Sequence, residues 1–234
     1  MTPYFVSAAC KYSRLAAIIY QDNHIEKFGK EFRVERIISH TNGTYAVIMR
    51  NSTERIIVFR GTDIELARTL RPVSEPLINH GSGKLVRKYH VQFSQLLSEL
   101  TALNTGDELE LVTVGHSAGC ALAVLTAEFF GARDYWCYGS ARIADRAWWP
   151  GLKVRGYWFQ HNEDTITYSP KNLTLKTGVY RYYIVGTRIS KVYTARWIYN
   201  WIKYTLSPPG DNWIRHHRAD YYYINLKRVL RNLK

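Results

Sequence analysis

No apolar run among the 234 residues approaches the roughly 18 consecutive positions that a membrane-spanning helix needs. Cysteine is scarce and odd in number: Cys10, Cys120 and Cys137 cannot build a disulfide framework. Proline (7 residues) and glycine (15) are too sparse for a collagenous or low-complexity chain, and no linker or internal repeat interrupts the sequence. The opening MTPYFVSAACKYSRLAAIIYQDNH lacks a basic start, a long apolar stretch and a small-residue cleavage site, so it does not read as a signal peptide. A cytoplasmic or virion-associated location is the expectation. What remains is a chain with 46% hydrophobic residues, enough to bury a sizeable core, expected to form one domain over 1–234.

Acidic residues are also in short supply, and unevenly so. Residues 1–150 hold 17 basic and 15 acidic side chains, whereas residues 151–234 hold 15 basic and only 4 acidic ones. The same last third carries WIYNWIKYTL, YRYYIV and ADYYYINL, so its cations are interleaved with Trp and Tyr. Such a surface favours polyanions, whether an anionic lipid interface or a nucleic acid.

Hydrophobic patterning alternates between strand and helix. Segment 7–21 has apolar residues at helical spacing, with Ser7 as its expected cap. RVERIIS (33–39), TYAVIMR (44–50) and ERIIVFR (54–60) are short β-branched runs, and Asn51-Ser52-Thr53 suits a hairpin. Residues 61–83 form a long connection, and 84–103 have a helical pattern. LELVTVG (109–115) reads as a strand running directly into SAGCALAVLTAEFF (117–130), a helix apolar nearly all round. A βα unit of a sheet covered on both faces follows. DYWCYGSARIAD (134–145), VRGYWFQHNED (154–164) and TGVYRYYIVG (177–186) repeat the strand theme, and the tail 213–233 has a helical Leu/Val stripe. The expected class is α/β.

Between that strand and helix lies Gly115-His116-Ser117-Ala118-Gly119, which fits G-x-S-x-G. A serine on so tight a turn is forced into a strained backbone that lifts its hydroxyl clear of the sheet, and side chains two positions either side would collide. The following helix aims its N-terminus at the serine, leaving the Ala118 amide available to a developing oxyanion. A serine needs a base, and the base needs an acid to hold its tautomer. On such a sheet these follow in the order Ser, Asp/Glu, His. Asp164 lies just past an expected strand, with Glu163 an adjacent rival and Asp145 a weaker one. Beyond it the only histidines are His216 and His217. His116 reads as structural, and His24, His40, His80 and His90 precede the elbow as surface or core residues. No metal-ligand spacing is present, and the chemistry calls for no cofactor.

These residues resemble a family. Val58-Phe59-Arg60-Gly61-Thr62, Gly115 to Gly119 and Tyr138-Gly139-Ser140-Ala141-Arg142 are similar, in order, to motifs of the class 3 (fungal-type) lipases of the α/β-hydrolase superfamily. Tyr89-His90-Val91-Gln92-Phe93, the stretch Asn162 to Pro170 and His217-Arg218-Ala219-Asp220-Tyr221-Tyr222 extend the resemblance over nearly the whole chain. It implies an α/β-hydrolase fold with a mostly parallel central sheet and helices on both faces. It implies Ser117 as nucleophile, Asp164 as orienting acid and His217 as general base. His217 is preferred to His216 because it alone has Asp at +3 and Tyr at +5. The oxyanion donors map to the amides of Thr62 and Ala118, with the Thr62 hydroxyl assisting.

Departures are also visible. Ala118, Cys120 and Ala141 replace the family's Leu, second Gly and Pro, and Gln92 stands where Gly is usual. Residues 63–70 (DIELARTL) lack the Trp of the family's helical lid, which implies a short or absent lid and a preference for accessible esters. The expected activity is hydrolysis of a carboxylic ester or lipid through an acyl-serine. A phospholipase A1-type hydrolase on anionic membranes is the alternative within the enzyme class. An inert scaffold that binds nucleic acid is the alternative outside it, disfavoured because all three triad residue types are present.

Overall fold

A computed structural model of the chain describes residues 2–62, 76–102, 109–161, 164, 167, 175–176, 181–185, 188–191 and 217–233. The expected lid segment 63–70, Glu163, His216 and most of the basic aromatic stretch of the last third lie outside the described residues.

Three antiparallel strands open the main sheet: β1 (Arg33–Ser39), β2 (Tyr45–Arg50) and β3 (Glu54–Arg60). The Asn51 carboxamide oxygen accepts from the amides of Thr53 and Glu54 and closes the β2–β3 hairpin, as the turn residues dictate. A separate hairpin, β4 (Leu77–His80) and β5 (Gly83–Val86), precedes the next sheet strand, β6 (Glu110–His116). The order then runs through β7 (Asp134–Tyr138), the two-residue β8 (Ala144–Asp145) and β9 (Arg155–His161). β10 (Leu175–Lys176), β11 (Arg181–Val185) and β12 (Arg188–Lys191) follow. Among the described residues the main sheet has eight strands in the order β1-β2-β3-β6-β7-β9-β11-β12. Its centre, from β3 to β11, is parallel, with antiparallel strands at both edges. Strands β10-β8-β5-β4 form a smaller sheet.

Successive side chains of a strand point to opposite faces, and here both faces are apolar. Ile57 and Phe59 of β3, with Tyr135 and Cys137 of β7, join one core, packed under helices α3 (Arg87–Thr101) and α4 (Gly119–Phe130). Ile56 and Val58, with Trp136 and Tyr138, join the other, under α1 (Pro3–Ile18), α2 (His24–Gly29) and α5 (Ala219–Arg231). The α/β class expected from the alternating pattern, and the mostly parallel sheet with helices on both faces that the family resemblance implies, are both present.

Two expectations are corrected. The cap of α1 is Thr2, whose hydroxyl accepts from the Phe5 amide at 3.3 Å, and not Ser7. Val6 is already buried, so the helix has to begin a turn earlier, with Pro3 at its first position. The helix expected over 84–103 starts at Arg87, because Leu85 and Val86 are spent on β5, where Leu85 pairs with Ala144. Two apolar residues, Leu85 and Val86, are too short a signal to separate a strand from a helix start.

Candidate active site

Thr62, Ser117 and Asp164 follow the carboxyl ends of the parallel strands β3, β6 and β9, and His217 joins them from just before α5. Ser117 follows β6 directly, and its φ of +56° makes it the one non-glycine residue at positive φ among those described. The strain is enforced by packing on both sides. A β-carbon on Gly115 would lie 2.6 Å from Cys120 Cα, and one on Gly119 would lie 2.5 Å from the Phe59 carbonyl oxygen. Both obstacles are backbone and cannot move aside, so the two glycines let α4 start hard against β3 and β6. The Ser117 amide donates to the Tyr138 carbonyl at 3.0 Å. Helix α4 begins at Gly119, so the Ala118 amide has no acceptor within the helix.

The His217 Nε2 lies 2.9 Å from Ser117 Oγ, and its Nδ1 is 3.0 Å from both Asp164 carboxylate oxygens. For the serine hydroxyl to donate to Nε2, the imidazole proton must sit on Nδ1, where the carboxylate accepts it. Ser117, Asp164 and His217 are all buried, Asp164 completely. Asp164 is held by its backbone as well: its amide donates to the His161 carbonyl at 3.2 Å, and its carbonyl accepts the Thr167 hydroxyl at 2.7 Å.

In the sequence, Tyr222 serves only to distinguish His217 from His216. Its phenol, fully buried, donates to Asp164 Oδ2 at 2.6 Å and accepts the His161 amide at 3.1 Å. Burial, reinforced by the neighbouring Asp164 carboxylate, pushes the phenol well above its usual pKa, so it remains a donor. The signal available in sequence is spacing: five residues after His217, near the start of an amphipathic helix, Tyr222 is turned back toward the sheet.

The other candidates separate cleanly. Thr62 is half-buried two residues past β3 and follows Gly61, whose β-carbon position lies 2.6 Å from Ser117 Cβ. Asp145 accepts the Trp148 amide at 3.0 Å in the smaller sheet. His24 meets the Tyr45 hydroxyl, His40 the Glu99 carboxylate, and His80 the Trp148 indole, with His90 beside it. Cys120 is buried, its thiol 3.5 Å from the Tyr138 carbonyl. Gln92 donates to the Asn42 carbonyl at 3.2 Å, a contact that glycine could not make. Among the described residues no cluster of three or more His, Cys, Asp or Glu could hold a metal ion.

A centrally parallel sheet with helices on both faces, and a strained serine between one of its strands and the following helix, is the α/β-hydrolase arrangement. The solved structures similar to this chain narrow that class. A fungal lipase crystal structure superimposes with a TM-score of 0.76 over 98% of this chain and 99% of its own, at 15% identity. The native Rhizomucor miehei lipase–propeptide complex gives 0.70 over 82% and 72%, at 17% identity. The lipase from Rhizopus microsporus var. chinensis gives 0.68 over 82% and 78%, at 13% identity. The chain therefore has the fungal lipase fold. No protein-family model and no curated protein sequence matches it.

Proposed function

We propose that the protein is a serine carboxylester hydrolase acting on acyl esters or lipids through an acyl-enzyme. The observation that carries this reading is the continuous contact from Ser117 Oγ through His217 to the Asp164 carboxylate, at 2.9 and 3.0 Å. His217 Nε2 takes the hydroxyl proton as Ser117 Oγ bonds to the ester carbonyl carbon, whose oxygen takes the negative charge. The amides of Ala118 and Thr62 receive that oxyanion, and one such donor is worth about 100-fold in turnover. Collapse expels the alcohol, which leaves with the proton from His217. Water, deprotonated by the same nitrogen, then attacks the acyl-serine and releases the acid.

The net charge of +13 supports anionic lipid interfaces as the place where such esters are met. The test is turnover of a short-chain chromogenic ester by wild type and Ser117→Ala. The variant loses activity by at least about three orders of magnitude. A variant that keeps wild-type rates rejects the reading.

A further inference from the structure

His116 precedes the serine, and its ring is turned away from the hydroxyl into a second hydrogen-bonded path. Its Nε2 lies 2.7 Å from the backbone carbonyl oxygen of His217. Its Nδ1 lies 2.8 Å from the Tyr20 hydroxyl. That hydroxyl in turn accepts the amide of Gly61 at 2.8 Å. The His217 carbonyl can only accept, so His116 carries its proton on Nε2. Nδ1 is then bare and takes the Tyr20 proton, which leaves a phenol lone pair for Gly61 N–H. One proton arrangement satisfies all three contacts.

The path joins both halves of the proposed chemistry. At one end is the backbone of the base, at the other the residue before Thr62. Packing is tight around it: a β-carbon on Gly61 would lie 2.6 Å from the His116 carbonyl oxygen and 2.9 Å from the Tyr20 hydroxyl oxygen. The His116 and His217 rings lie 4.9 Å apart, and Tyr20 meets His116 edge-on at 5.4 Å. His116 is buried, and burial together with the neighbouring His217 keeps its pKa well below the ordinary 6.5. The neutral imidazole that the path requires is thus the form present at neutral pH.

We propose that Tyr20 and His116 are positioning residues, a relay that fixes the His217 backbone and the Gly61–Thr62 turn relative to each other. The relay rests on the hydrolase reading above. His217 must stay within hydrogen-bond reach of Ser117 Oγ while a proton leaves and returns, and Asp164 holds only its ring. The carbonyl contact from His116 holds the other side of the residue. A misplacement approaching 1 Å at a reacting group costs on the order of 100-fold in rate. Removing the relay therefore lowers kcat and leaves the binding of a small ester intact.

The experiment compares wild type, Tyr20→Phe, His116→Leu and His116→Gln on p-nitrophenyl butyrate, with circular dichroism and thermal melts to establish folding. Tyr20→Phe deletes one oxygen and with it the contacts to His116 and Gly61. It lowers kcat roughly 10- to 100-fold, with KM within about twofold of wild type. His116→Leu does the same. His116→Gln restores most of that loss, because its amide offers one acceptor and one donor. If His116→Leu does not fold, Tyr20→Phe and His116→Gln decide between them. Folded Tyr20→Phe with wild-type kcat, or His116→Gln no better than His116→Leu or Tyr20→Phe, overturns the relay while the hydrolase reading stands. A wild-type protein with no esterase activity and no fluorophosphonate labelling removes both.

Discussion

Replacing Asp164 by Asn tests the site through a consequence that only this arrangement has. The Tyr222 phenol stays protonated and donates to Asp164 Oδ2 at 2.6 Å. In Asp164→Asn that donor selects the amide oxygen and turns the NH2 group toward His217 Nδ1, which lies 3.0 Å from the native carboxylate. That NH2 group opposes a proton on Nδ1, although the amide oxygen stays at the Oδ2 position, also 3.0 Å away, so the imidazole shifts toward the Nε2 tautomer, which cannot accept from Ser117. A wrong tautomer at this position costs about 10⁴ in kcat, or about 5.5 kcal/mol of transition-state stabilisation. Adding Tyr222→Phe removes the group that dictates the amide orientation. The oxygen of the introduced carboxamide is then able to face Nδ1. The double variant accordingly recovers at least about tenfold over Asp164→Asn, although Tyr222→Phe alone lowers activity. The assay is kcat on a short-chain chromogenic ester, with melting temperatures recorded for all three variants. A folded double variant as slow as Asp164→Asn, or slower, refutes the assignment of Tyr222 as the residue that orients the acid.

Gly119→Ala places a methyl 2.5 Å from the Phe59 carbonyl oxygen and 2.9 Å from the Arg60 carbonyl, so denaturant unfolding reports a loss of about 1–3 kcal/mol; stability unchanged within error contradicts the close approach. His116 contributes to stability with a definite sign. The fold holds its pKa well below 6.5, so below that pH the unfolded chain binds a proton that the native state refuses, and stability falls with acidification. Against His116→Gln, which cannot titrate, wild type loses more stability between about pH 7.5 and 5.5, on the order of 1 kcal/mol. A difference independent of pH excludes a buried neutral imidazole. On phospholipid vesicles, the excess of cations predicts faster hydrolysis when anionic lipid is present, and added salt removes the advantage; equal rates on anionic and zwitterionic vesicles reject an anionic interface.

The elbow is legible in the sequence because its constraints are local. Gly115 and Gly119 flank Ser117 between an apolar strand and an apolar helix, and the structure supplies the backbone atoms that forbid larger residues there. Asp164 and His217 can be reached only by order along the chain, and the family resemblance then chooses each over its neighbour. Spacing does not reveal which of two adjacent residues turns toward the sheet. Tyr222 is marked only by its spacing from His217, and neither its contact with Asp164 nor that of Tyr20 with His116 is legible in the sequence. Their roles depend on α5 packing against α1 and on Tyr20 reaching the end of β6, contacts between residues 58 and 96 positions apart. The start of α3 escapes the sequence pattern for a related reason, since β5 exists because it has β4 and β8 to pair with.

Labelling with a fluorophosphonate, followed by peptide mass mapping, tests the central claim most directly. One phosphonyl group on Ser117 of the wild-type chain is the expected result, with labelling slowed by orders of magnitude in His217→Ala and absent in Ser117→Ala. An unmodified Ser117 in folded wild-type protein, or equal labelling after His217 is removed, would contradict the account.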